Sequence, residues 1–137
     1  MGQNQILLII LGMIIIGVTI AVAITLVQEN SITANRDSMA SDLLNLSARA
    51  MQYYSSPAAN GGGGHSFVGL TADAAGMAKL VSTAFSHNGN GEYTISSAGI
   101  AGQVVLRGTG NTFLADGTLP VITCTVTPSG NIVTIIN

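Results

Sequence analysis

Residues 6–27 read ILLIILGMIIIGVTIAVAITLV, and residues 28–54 read QENSITANRDSMASDLLNLSARAMQYY. The first stretch has only Thr19 and Thr25 as polar members. At about 1.5 Å of rise per residue it is long enough to cross a hydrocarbon core of roughly 30 Å. The second stretch changes pattern without stopping. Ile32, Arg36, Met39, Leu43, Leu46, Ala50 and Tyr53 recur at alternating steps of four and three, a helical stripe with Arg36 as its one polar member. Asn35, Asp37, Ser41, Asp42, Asn45, Ser47 and Arg49 lie between them and form a polar face. No proline precedes Pro57, and no glycine lies between Gly17 and Gly61. One helix is therefore predicted from about residue 6 to residue 54, roughly 70 Å long. Its first half is apolar all round and needs lipid or other helices; its second half is one-sided and needs a single packed partner.

Composition agrees with that division. The 137 residues are 47% hydrophobic, 7% charged and 4% aromatic, with a formal net charge of -2. Soluble domains average about 25% charged residues, and disordered chains combine low hydrophobicity with high net charge. Neither description fits. The four basic residues, Arg36, Arg49, Lys79 and Arg107, are scattered, so no phosphate-binding surface can be assembled and nucleic acid is not an expected partner. Cys124 is the single cysteine, which excludes an intrachain disulfide, a CxxC redox pair and a multi-thiolate zinc site. No charge occurs before Glu29. A cleavable secretory signal ending at Ala21-Val22-Ala23 would want a basic leader, and MGQNQ has no Lys or Arg. A membrane anchor is not oriented by the positive-inside rule either, because Arg36 and Arg49 both lie on the C-terminal side.

Beyond Tyr54, Asn60-Gly61-Gly62-Gly63-Gly64-His65 reads as a flexible linker. A phosphate loop would continue with Lys-Ser/Thr, and here His65-Ser66 follows. Thr71 to Phe85 is predicted to be one short helix, with Thr71 as N-cap and Asp73 in its first turn. Ala75, Met77, Leu80, Val81 and Ala84 would form its buried side, and Gly76 weakens it. Glu92–Ser97, Gln103–Arg107, Leu119–Thr127 and Asn131–Ile136 are rich in Val, Ile and Thr between turn-forming residues, and are predicted strands. Ala98 to Gly102 would join the first two, and Pro128-Ser129-Gly130-Asn131 would turn the last two into a hairpin. Thr123, Thr125 and Thr127 alternate with Ile122, Cys124 and Val126, so one strand face is wet and the other is available to cover the helical stripe. The expected fold is α+β: a long N-terminal helix whose C-terminal half packs on an antiparallel sheet of about four strands. It divides into an apolar half (1–28), an amphipathic half (29–56) and a globular head (57–137).

The remaining chemistry-bearing residues form no reactive constellation. His65 and His87 lie in glycine- and asparagine-rich loops without Cys, Asp or Glu at ligand spacing, so no metal is expected. There is no G-x-S-x-G elbow and no C-x-x-C-H haem motif, and Cys124 reads as a small core residue. The six aromatic side chains (Tyr53, Tyr54, Phe67, Phe85, Tyr93 and Phe113) all fall outside the apolar helix half, which argues against conduction along stacked rings. Asn45-Leu46-Ser47 is a glycosylation-type sequon inside a predicted helix, and chance accounts for it. Neither an enzyme nor a cofactor is expected.

A long apolar helix running into a small antiparallel head resembles the type IV pilins and pseudopilins. The resemblance covers the whole chain in architecture and, in motif, the opening MGQNQILLIILGMIIIGVTIAVAITLV. It implies a subunit that waits in the inner membrane and is built by a pilus assembly machinery into a helical homopolymer at the cell surface. In that family a peptidase cuts after a glycine, and the fifth mature residue is usually a glutamate that pairs with a neighbour's N-terminal amine. Counted from Met1 the fifth position here is the uncharged Gln5, counted after Gly2 it is Leu7, and the family's mid-helix proline is missing. The expected assembly helix carries Gln5, Ile6, Leu7, Leu11 and Ile15, with Gly12, Gly17, Ala21 and Ala23 as small contact residues. Helix–head packing is expected from Ile32, Met39, Leu43, Leu46, Ala50 and Tyr53 against Ile122, Cys124 and Val126. Two classes of function follow: the major subunit of an extracellular filament, or a minor pseudopilin or single-span anchor whose head binds a periplasmic partner.

Overall fold

A computed structural model describes residues 2–137. Helix α1 runs unbroken from Gly2 to Ser55, four residues further toward the N-terminus than the apolar run itself predicts. Thr19 and Thr25 donate their hydroxyl hydrogens to the carbonyls of Ile15 (2.8 Å) and Ala21 (3.1 Å), one turn back. The two polar side chains of the run are therefore satisfied within the helix, as an apolar surrounding requires.

The glycine-rich segment is not the free linker its composition suggests. It folds back over the end of α1, where the last four carbonyls have no helical partner. The Gly63 N–H donates to Tyr53 O (2.7 Å), the His65 N–H to Tyr54 O (2.8 Å) and the Gly64 N–H to Ser56 O (2.9 Å). Gly61 and Gly64 adopt left-handed φ values of 80° and 58°, which a side chain would resist. Glycine here supplies conformations that cap the helix.

The predicted helix over 71–85 is two pieces, α2 (Ala74–Ala78) and α3 (Thr83–Ser86). Asp73, not Thr71, is the N-cap: its carboxylate accepts the Gly76 N–H at 2.8 Å, while Thr71 donates its hydroxyl to the same oxygen. Gly76 packs against the Thr71 backbone, and its poor helix propensity keeps α2 short. Met77, Leu80 and Val81 are buried as expected, but Ala75 in α2 and Ala84 in α3 are exposed; the break after Lys79 turns the piece that carries Ala84 away.

Four antiparallel strands complete the head: β1 (Gly91–Ser97), β2 (Val104–Gly110), β3 (Val121–Thr127) and β4 (Gly130–Ile135), in the order β1-β2-β3-β4. The β3–β4 hairpin closes on the Thr127–Gly130 pair, so Pro128 and Ser129 form its two-residue tip. Leu106 faces Cys124, and Val104 faces Val126 across the β2–β3 ladder. These residues share one sheet face with Tyr93, Ile95 and Ile122, and all seven are buried. Gly108 lies in the middle of that face because Tyr93 and Met39 crowd it; a Cβ there would stand 3.0 Å from the tyrosine ring. The second half of α1 lies across this face, and Met39, Leu43, Leu46 and Ala50 have no exposed surface. At the ends of the stripe, Ile32, Arg36 and Tyr53 are half-buried. The fold is thus the expected α+β arrangement of one long helix on a four-stranded antiparallel sheet.

Candidate assembly interface

Two surfaces stand out, and each follows from the way α1 is divided. The first is the projecting half of the helix. No head element covers it, and its most apolar 18-residue window is wholly unburied. By length and composition α1 is the one helix among the described residues able to cross a membrane. Gln5, Ile6, Leu7, Leu11, Ile15, Gly17, Ala21 and Ala23 are all exposed on it, and Gly12 is only slightly less so. The four small residues do not form one stripe. At 100° per residue, Gly17 and Ala21 lie about 40° apart, and Gly12 and Ala23 about 20° apart, with roughly 150° between the centres of the two pairs. The helix therefore offers close approach on two faces, the arrangement needed for contact with more than one neighbouring helix.

The second surface is the head's open sheet edge. β4 pairs with β3 on one side only, and every one of its residues is exposed. Ile132 and Ile136 point to one face and Val133 and Ile135 to the other, past the end of the cover that α1 provides; Leu44 on the helix is exposed on the same flank. An apolar, unprotected edge strand is a surface that proteins otherwise avoid leaving open.

Between these surfaces runs a polar seam that the stripe did not announce. Asn35, Asp42 and Ser47 belong by periodicity to the polar face, yet each bonds to the head. One carboxylate oxygen of Asp42, Oδ2, accepts from Asn88 Nδ2 (2.9 Å), Asn90 Nδ2 (2.9 Å) and the Tyr93 hydroxyl (2.7 Å). Asn35 Nδ2 donates to Asn90 O at 2.8 Å. On the opposite side of the stripe, Asn131 Nδ2 of β4 donates to the buried Ser47 hydroxyl at 2.7 Å, and that hydroxyl in turn donates to Leu44 O at 2.7 Å. The apolar stripe is thus fastened along one border to the β1 side of the head and along the other to β4. The only signal in the sequence was the run Asn88-Gly89-Asn90, whose side chains need partners.

Burial opposes the charge on Asp42, but the hydrogen bonds from Asn90, Tyr93 and Asn88 outweigh it and hold the carboxyl below the usual aspartate range. Burial first, and then the Asp42 carboxylate, push the Tyr93 hydroxyl far above its ordinary value. With its folded pKa depressed, Asp42 contributes stability that is fully present above the unfolded aspartate value of about 3.9 and is lost as pH falls through the lower folded value. The acid unfolding curve of the head, followed by near-ultraviolet circular dichroism, should therefore lose part of its slope below about pH 4 in Asp42→Asn. Asp42→Ala leaves three donors without an acceptor and should cost about 1–3 kcal/mol at neutral pH.

The remaining candidates have structural places. Cys124 is fully buried, and burial raises its thiol pKa, so it is shielded and little ionised. His65 is exposed and edge-on to Tyr54, with ring centroids 5.5 Å apart. His87 meets Glu92 at 3.1 Å, an exposed pair at the mouth of a cleft of about 280 Å³ between α2–α3 and β1. Among the described residues no three His, Cys, Asp or Glu side chains gather as a metal site. No protein family, curated protein or solved structure matches this chain.

Proposed function

We propose that this chain is the structural subunit of an extracellular, type IV pilus-like filament that polymerises through the apolar half of α1. The observation carrying this reading is that half itself: the 22 residues Ile6–Val27 project from the head, and their side chains are left open by it. Fifteen of them are Leu, Ile or Val. Burying each such side chain is worth about 1.5–3 kcal/mol, so the bare helix is unsustainable in water. As a monomer it rests in the inner membrane with the head outside. In the filament it exchanges lipid for the helices of other copies, through van der Waals packing at its small residues.

The head supports the same reading. It offers an open apolar strand edge beside Leu44, and its surface is short of charge: ten charged residues occur in the whole chain, all from Glu29 onward. A flank covered by neighbouring copies accounts for both. Electron microscopy of material sheared from the cell surface tests the proposal. Thin filaments containing this chain are expected. Its confinement to the membrane fraction would instead make it a minor pseudopilin or a single-span anchor with a periplasmic partner.

A further inference from the structure

The loop joining β2 to β3 runs Asn111-Thr-Phe-Leu-Ala-Asp-Gly-Thr118, with its apolar residues at the tip. It is held in shape by its own bonds. The Leu114 N–H donates to Thr118 O (2.8 Å) and the Gly117 N–H to Leu114 O (2.9 Å), while Asp116 Oδ1 accepts from both the N–H and the hydroxyl of Thr118. At the base, Asn111 Nδ2 donates to Gly89 O at 3.0 Å. The tip hangs beside α1. Phe113 and Leu114 form one wall of a groove of about 500 Å³ whose other wall is α1 from Thr25 to Ile32. Phe113 is 66% exposed, and it alone among the six aromatic side chains is exposed rather than buried or half-buried.

The position of the groove along the helix points to its occupant. Ile6–Val27 measures about 33 Å against a hydrocarbon core of roughly 30 Å, so the membrane boundary falls within a turn of Val27. The first charge of the chain, Glu29, lies just past that boundary. Phe113 is therefore held at interface depth, where apolar Phe and Leu side chains can enter the headgroup–acyl boundary. No Lys or Arg lines the groove, and Glu29 does, which disfavours an anionic headgroup.

We propose that the Phe113–Ala115 tip dips into the bilayer beside Val27 and that the groove seats the upper acyl segment of a zwitterionic lipid. This second contact joins the head to the membrane surface and fixes its orientation about the axis of α1. The proposal rests on the membrane-resident monomer described above.

The chain contains no Trp, so Phe113→Trp and Ile16→Trp each introduce a single reporter, the second at mid-span. The full chain is reconstituted at high dilution in phosphatidylcholine vesicles brominated either near the headgroup or at the chain centre. F113W is expected to emit at shorter wavelength than in water and to be quenched about twofold more by shallow than by deep bromines, with the reverse for I16W. If I16W is quenched but F113W emits as in water and is quenched by neither lipid, the loop contact is overturned while the membrane span stands. If neither is quenched, the membrane-resident monomer is overturned, and the loop contact with it. A blue-shifted but unquenched F113W whose shift fades as lipid is added would place a second copy in the groove, which also overturns the proposal. Protection of Cys124 from alkylation verifies that each variant's head is folded.

Discussion

Replacing Leu11 with Asp is expected to abolish filaments while leaving the chain in the membrane. The two effects separate because they draw on different energies. Insertion depends on the sum over the run, and fifteen Leu, Ile and Val residues contribute about −0.3 to −0.6 kcal/mol each on the insertion scale. One Asp at position 11 opposes this by at most roughly 3 kcal/mol, the cost at a helix centre, which the remaining fourteen still outweigh. A filament core has no such reserve. Every subunit would place an unpaired carboxylate among packed helices, at several kcal/mol each, and the cost repeats at every copy. Yield of sheared filaments should fall by at least about a hundredfold, the equivalent of 2.8 kcal/mol, with the membrane-bound amount within about twofold of the parent. Normal filaments from Leu11→Asp would show that this helix half is not the polymer core.

The second large effect belongs to the head. Leu43 has no exposed surface and sits midway along the buried stripe of α1, between Met39 and Leu46 and under the sheet. Leu43→Ala should cost about 2–5 kcal/mol, because the helix and the strands packed on it cannot both close on the cavity. A core of this size supplies little more than that in total. The native state would therefore be populated poorly or not at all at 37 °C. Cys124 provides the readout, since it lies on the facing strand and is fully buried. Its alkylation by a maleimide should be slow in the parent and faster by more than about tenfold in Leu43→Ala. Equal rates would place the stripe outside the cooperative core. Leu44→Ala, one residue away and 49% exposed, is the control and should change the rate little.

Periodicity made the long helix, its buried stripe and the inward face of β3 readable, because each is a repeating pattern set by the geometry of one element. The hairpin at Pro128 was readable for a related reason: its turn residues are local. What escaped depends on contacts across the fold. Asp42 and Ser47 look like members of a solvated face until β1 and β4 arrive beside them. The glycine run carries no sign that the carbonyls of Tyr53, Tyr54 and Ser56 await its N–H groups. The start of α2 turns on Asp73 displacing Thr71 as cap, a difference of two residues between equally suitable side chains. The groove beside Phe113 required the loop and the helix to be placed together.

The polar seam also has a consequence in time. Ser47 and its partner Asn131 are 84 residues apart, and Asp42 and Tyr93 are 51 apart. Of the two strands that cover the stripe, β2 and β3, the second follows the helix by more than 65 residues. Contacts of such separation close slowly, since the chain between must be ordered before they form. Met39, Leu43 and Leu46 therefore stay uncovered until the chain past Thr127 has been made and, for the membrane-resident monomer proposed above, has crossed to the same side. During that interval the nascent subunit presents its future core as a sticky helical face. A long-lived exposed apolar face of this kind is what makes partly folded chains prone to aggregate.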